Sequence, residues 1–244
     1  MKKLLKPVLL LLLIVSMSCG DKDPKPADVR IDLKTYVKND AVVLDSLRYL
    51  TPIGYTYSLA NLRYYLTRIS LVKDDGTVEE LKKGHLFNIH KPNTQTIEAL
   101  DVPPGRYTAL TFTFGFSKND NVVTFLENTI ENQNMYWPPT LGPGAYHYMK
   151  LEGQYKNDTI DLDNYAFHLG PTFGADYSFD VNRPIDLTIN ETKKHLSIIM
   201  DIEQWFQDPN DYDFAAWKPG IMNRHTAQEI AKANGYNVFR VEVE

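Results

Sequence analysis

Cysteine is nearly absent: Cys19 is the only one in 244 residues. A single thiol excludes a disulfide framework and a cysteine-rich metal cluster within the chain. Basic clusters are missing too. Lys and Arg number 26 against 31 Asp and Glu, a formal net charge of −5, and no long run of cations is present to meet phosphates. This argues against nucleic acid and against adhesion to anionic lipid through charge. No apolar run is long enough to span a bilayer. The unbroken stretch Val8–Val15 would measure about 12 Å as a helix, against roughly 30 Å of hydrocarbon. No GxSxG, HExxH or Walker pattern appears, nor any other acid–base or nucleophile signature. No catalytic turnover is expected.

What is present starts with a leader. Lys2, Lys3 and Lys6 precede the apolar run, and Ser16-Met17-Ser18-Cys19-Gly20 follows it. That is the layout of a secretion signal, residues 1–18. The small residues before the sole cysteine resemble a bacterial lipobox, which implies cleavage before Cys19 and acylation of its thiol and new amine. Several acyl chains would hold the protein firmly, since each buried methylene contributes about 0.8 kcal/mol and one chain alone is marginal. Cleavage removes three lysines and no acid, so the formal charge moves from −5 to about −8. Residues 19–28, with the charged, Pro-bearing DKDPKPAD segment, read as the lipidated cysteine and its tether. Residues 29–244 are enough for one β domain with a substantial core.

Alternation dominates that domain. Val29, Ile31 and Leu33, then Leu62, Tyr64 and Leu66, take every second position, the period of a half-buried strand. Asp75-Gly76 marks a hairpin turn. Val102-Pro103-Pro104-Gly105 turns into a β-rich stretch over 107–116. Further strands are expected at 145–155, 165–169, 185–189, 196–202 and 237–243. Residues 119–134 are polar and read as a long connection, with a short helical stretch within 122–132. Thr226 and Glu229 have the spacing of a capping box, with Gly235 as the stop, which predicts a helix over 226–234. The fold class is mainly β: an antiparallel sandwich or barrel with a short C-terminal helix.

Candidate chemistry gathers in the middle of the chain. A strand through 145–151 would place His147 and Met149 on one face. Imidazole with thioether suits copper; the plain alternative is a half-buried histidine beside a core methionine. In Phe167-His168-Leu169, His168 points away from its two apolar neighbours, either towards a ligand pocket or simply to the surface. Met135 and Trp137 share a face if extended, and Pro138-Pro139 then stops regular pairing. Tryptophan is not an ordinary metal ligand, so chemistry there would require its modification. Met222 and His225 offer a weaker soft-ligand pair, and the Asp208–Asp213 run lacks the glycine and glutamate of a calcium loop.

The segment Met135-x-Trp137, then Tyr146-x-x-x-Lys150-Leu151-Glu152-Gly153, then His168-Leu169-Gly170 resembles the MbnP-like family of copper-binding proteins. Leu62–Leu66, Val102–Tyr107 and the stretch from Met222 to Asn234 fall where that family has comparable blocks. The resemblance implies a periplasmic or cell-surface protein of copper acquisition or handling. It implies copper held by His168, with Met135 and His147 as further candidates and Trp137 as the residue oxidised to kynurenine. A dihaem peroxidase-like partner would perform that oxidation. One departure is plain: where many relatives carry a second tryptophan, this chain has Pro139, followed by extra loop at Leu141–Gly144. The competing expectation is a metal-free surface lipoprotein of the same fold, acting as a structural, partner-binding or glycan-binding module. The glycan reading rests on Tyr136, Trp137, Tyr146 and Tyr148.

Overall fold

The structure is a computed structural model that describes residues 24–244. The leader 1–18 and Cys19 lie outside the described residues. Thirteen strands and two α-helices are present among the described residues. The first half holds β1 (Ala27–Val37), β2 (Asp40–Ala41), β3 (Tyr49–Leu50), β4 (Thr56–Tyr57), β5 (Asn61–Lys73), β6 (Val78–Asn88), β7 (Thr96–Val102) and β8 (Gly105–Phe114). Then come α1 (Ile130–Gln133), β9 (Met149–Asn157), β10 (Ile160–Leu169), β11 (Phe179–Ile189), β12 (Lys194–Asp201), α2 (His225–Gly235) and β13 (Phe239–Val243). Strand β1 takes in Ala27 and Asp28, which the sequence placed in the tether.

Two sheets result. The smaller runs β13-β12-β1-β2, with β7 also on β1. The larger runs β11-β8-β5-β9-β4-β3, with β6 on β5 and β10 on β9. Together they form a curled half-barrel. Antiparallel pairing dominates as expected, with one exception: β1 and β12 run parallel from Val29↔Lys194 to Tyr36↔Asp201. Phe239 of the smaller sheet packs on Phe112, Phe114 and Tyr64 of the larger one, with ring centres 5.2, 5.8 and 6.3 Å away. The core therefore lies between the sheets. Apolar alternation pointed to the residues that fill it: Val29, Ile31, Leu62, Tyr64 and Leu66 have no exposed surface.

The β5–β6 hairpin closes as the Asp-Gly pair suggested. Gly76 adopts φ +85°, and the Asp75 carboxylate accepts from Thr77 N at 2.8 Å. One local expectation fails, and a second is met by a shorter, later helix. The capping box does not form, because the helix begins at His225: Gln228 N donates to Arg224 O at 3.0 Å, and Arg224 caps without a side-chain bond. Thr226 is thus inside the first turn. The connection over 119–134 is mostly turns, and its helix is the single turn α1, capped by Thr129 Oγ1 accepting from Asn132 N at 3.2 Å.

The third difference shapes the site. Strand β9 starts at Met149, four residues later than alternation suggested. Residues 145–147 pair instead with 135–137: Trp137 N donates to Ala145 O and His147 N to Met135 O, both at 2.8 Å, around the Tyr136↔Tyr146 bridge. Asn121 holds this ribbon, its Oδ1 accepting from the N–H groups of Ala145 and Tyr146 at 2.9 and 2.7 Å. A bend at Tyr148 then separates the ribbon from β9.

Candidate metal centre

Side chains alternate along an extended ribbon, so Tyr136 and Tyr146 share one side, with ring centres 5.3 Å apart. Met135, Trp137 and His147 fall on the other. In β9 and β10, Met149, Leu151, Phe167 and Leu169 face the core without exposure. Lys150, Glu152 and His168 occupy the opposite face, with His168 in register with Lys150. The expected His147–Met149 pair does not form, since the bend breaks the alternation it relied on. His147 lies instead against Trp137 and His168, with ring centres 4.8 and 5.5 Å away.

Each imidazole has one nitrogen engaged and one bare. His147 Nδ1 lies 3.1 Å from Met135 O. A carbonyl only accepts, so Nδ1 carries the proton, and the neutral ring keeps a lone pair on Nε2. His168 Nε2 lies 2.7 Å from Glu152 Oε1, which leaves Nδ1 with the lone pair in the neutral ring. Both free nitrogens, His147 Nε2 and His168 Nδ1, are buried without a hydrogen-bond partner. Burial, the nearby Lys150 and His168 push His147 down to about 3, so it is neutral at physiological pH. The bond from His168 pulls Glu152 down to about 2, against the cost of its partial burial. Asn61 Nδ2 donates to the other Glu152 oxygen at 2.9 Å.

This is the arrangement of metal-binding histidines: one nitrogen oriented by a carbonyl or carboxylate, the other free for an ion. The chemistry of the donor set fits a metal that accepts imidazole, copper among them. It provides two donors. Among the described residues, no group of three His, Cys, Asp or Glu gathers to complete a larger set.

Trp137 is packed rather than displayed, at 2% exposure. Its indole Nε1 donates to Leu141 O at 3.4 Å, inside the 3-10 turn Pro139–Leu141. Its six-membered ring rests on Gly170, where a Cβ would come within 2.2 Å. Met135 is fully buried in the core, and its carbonyl accepts from His147 Nδ1. Of the aromatics proposed to stack on a glycan, Trp137, Tyr146 and Tyr148 are at most 2% exposed, which leaves Tyr136 alone at the surface. His225 stands apart, with Nδ1 2.6 Å from the Tyr177 hydroxyl.

Glu152 and Gly170 were visible in the sequence as part of a motif, but their roles were not. Glu152 meets His168 only because β9 and β10 are in this register. Gly170 matters only because a ring from a distant loop lands on it.

The neutral His147 has a consequence for acid stability. The unfolded chain protonates it near its ordinary 6.5, while the folded chain resists down to about 3. As pH falls through this window the unfolded state binds the proton first. Its contribution is therefore complete above pH 6.5 and declines by about 1.4 kcal/mol per unit below it. The unfolding free energy of metal-free protein, from urea titrations at pH 7 and pH 5, should fall further for the wild type than for His147→Gln, by about 2 kcal/mol. Equal losses would show that the ring is not held neutral. Glu152 does not confuse the comparison, because its loss starts only below its ordinary 4.5.

Comparison with known proteins bears on the fold and family. Among solved structures, MbnP from Methylosinus trichosporium is similar, with a TM-score of 0.55 at 13% identity, covering 90% of this chain and 99% of that one. Identity this low carries the fold alone. No curated protein matches. The sequence pattern of the MbnP family matches residues 26–223, from the residue before β1 to the segment before α2. The chain belongs to the MbnP family.

Proposed function

We propose that this is an extracytoplasmic copper-binding protein, held to a membrane through Cys19, that takes up and keeps copper without catalytic turnover. The observation that supports it most is the pair of buried, unpartnered imidazole nitrogens on His147 and His168. An orphaned buried polar atom costs about 1–3 kcal/mol, and a bound ion removes that cost for both at once. Imidazole is a good ligand for copper, whose selection over zinc depends on geometry and supply. Met135 supports the site through its carbonyl. Trp137, in contact with His147, is the residue on which a dihaem peroxidase-like partner would act, as the family resemblance suggests. Titration of purified mature protein with copper against a competing chelator tests the reading. One ion per chain is expected, and no uptake would reject it.

The anchor has its own test. Among the described residues, no helix is long and apolar enough to cross a membrane, and the attachment proposed is the lipid on Cys19. Cys19→Ala should move the protein from the detergent phase to the aqueous phase. Unchanged membrane association would reject the anchor.

A second reading, a metal-free surface lipoprotein of the same fold, is favoured by the count of donors. Two imidazole nitrogens without a third His, Cys, Asp or Glu gathered among the described residues make a sparse site. The same titration separates the two readings.

A further inference from the structure

Helix α2 reaches the metal centre through one side chain. Gln228 has no exposed surface, and its amide serves the main chain alone. Nε2 donates to the carbonyls of His168 and Ile221 at 2.8 and 3.1 Å, and Oε1 accepts from Gly170 N at 3.2 Å. His168 and Gly170 flank Leu169, the last residue of β10. One carries an imidazole with an unpartnered nitrogen, and the other is the bare backbone on which the Trp137 ring rests. Among the described residues, β10 pairs only with β9, so its outward main-chain groups need partners from elsewhere. A primary amide offers donor and acceptor together, which is what a C=O and an N–H two residues apart require.

We propose that Gln228 is a positioning residue for the metal centre: it fixes the corner at the end of β10, and so holds the His168 imidazole and the seat of Trp137 in one geometry. Its effect on metal affinity rests on the copper reading above, whereas its effect on the corner does not. The nearby Asn234 provides the contrast. It is equally buried in the same helix, and its amide Nδ2 donates to Trp205 O and Asn210 O at 3.0 and 2.8 Å. Its hydrogen bonds go to Trp205 and Asn210 and none to β10.

The test compares Gln228→Met with Asn234→Leu, each a loss of buried amide bonds from α2. In metal-free protein, the nitrogen resonances of His168 and the indole resonance of Trp137 should shift in Gln228→Met and stay put in Asn234→Leu. Copper affinity, read by competition with a chelator, should fall about 10–100-fold in Gln228→Met, the usual cost of losing a partner that orients a ligand. It should hold in Asn234→Leu even though that variant unfolds at lower urea. Gln228→Leu, uncharged and of similar volume, carries the same expectation if the methionine variant does not fold. Unmoved His168 and Trp137 resonances in the Gln228 variant, or equal shifts in both variants, would overturn the proposal. Failure of the wild type to bind copper would reject the copper reading alone, because the metal-free resonances still decide the role of Gln228.

Discussion

His168→Ala protein should fold normally and lose its copper. The substitution removes one of the two buried, unpartnered nitrogens, and neither the weak thioether of Met135 nor the Trp137 N–H, which is directed at Leu141 O, is an adequate replacement for an imidazole. The affinity should drop by more than the roughly 100-fold that marks the upper end for an orienting partner. Glu152→Gln, which weakens the acceptor for His168 but leaves both ligand nitrogens, should fall within the range of about 10–100-fold. The fold should survive because His168 belongs to the polar face of β10, while Phe167 and Leu169 fill the core. Near-ultraviolet circular dichroism should be unchanged apart from signals of Trp137 itself. Copper retained at one ion per chain in His168→Ala would remove His168 from the site.

Gly170→Ala should be among the most damaging small substitutions available. The new methyl would stand 2.2 Å from Trp137 Cζ3 and 2.4 Å from Cε3, so the indole must move. It has little room to do so, being 2% exposed, packed on His147 and bonded to Leu141 O. Forcing a methyl into a packed contact costs about 1–3 kcal/mol, and more where neighbours are rigid. A loss of about 3 kcal/mol lowers the melting temperature of a domain this size by roughly 6–12 °C. Trp137→Phe should relieve the clash, so the double variant should be more stable than the sum of the two single losses. A melting temperature of Gly170→Ala within about 1–2 °C of wild type, well short of that expectation, would show that the ring is not seated on this backbone.

The frame of the domain was legible because it depends on simple periods. Every-second-residue burial along β1, the start of β5 and the end of β10 follows from a pleated strand with one face in the core. The orientation of His168 was legible for the same reason: one residue between Phe167 and Leu169 must point away from them. The start of β9 was not. Residues 145–148 have strand-like composition, but backbone bonds to 135–137 and to Asn121 draw the first three into a separate ribbon. That put His147 beside His168 instead of Met149. The cap of α2 was misplaced because the Thr226 signal is local, whereas the helix begins where its first turn closes on Arg224. Gln228 was hidden by the same motif. A glutamine in a first turn looks like surface until the strand corner it binds is known. The parallel pairing of β1 with β12 was hidden too, since residue patterns give the faces of a strand and not its neighbours.

That pairing bears on how the protein carries load. Under the proposed anchoring, any pull between membrane and domain enters the fold at Lys25, whose carbonyl accepts from Glu191 N at 3.1 Å, and runs along β1. The strand is bonded on both flanks, to β12 over Val29–Tyr36 and to β7 over Ala27–Asp32. Ladder bonds lie across the strand direction, so a tug along its axis strains many of them together instead of opening them one by one. The N-terminal strand is thus a grip as well as a structural element, and β9 and β10, which carry Glu152 and His168, belong to the other sheet.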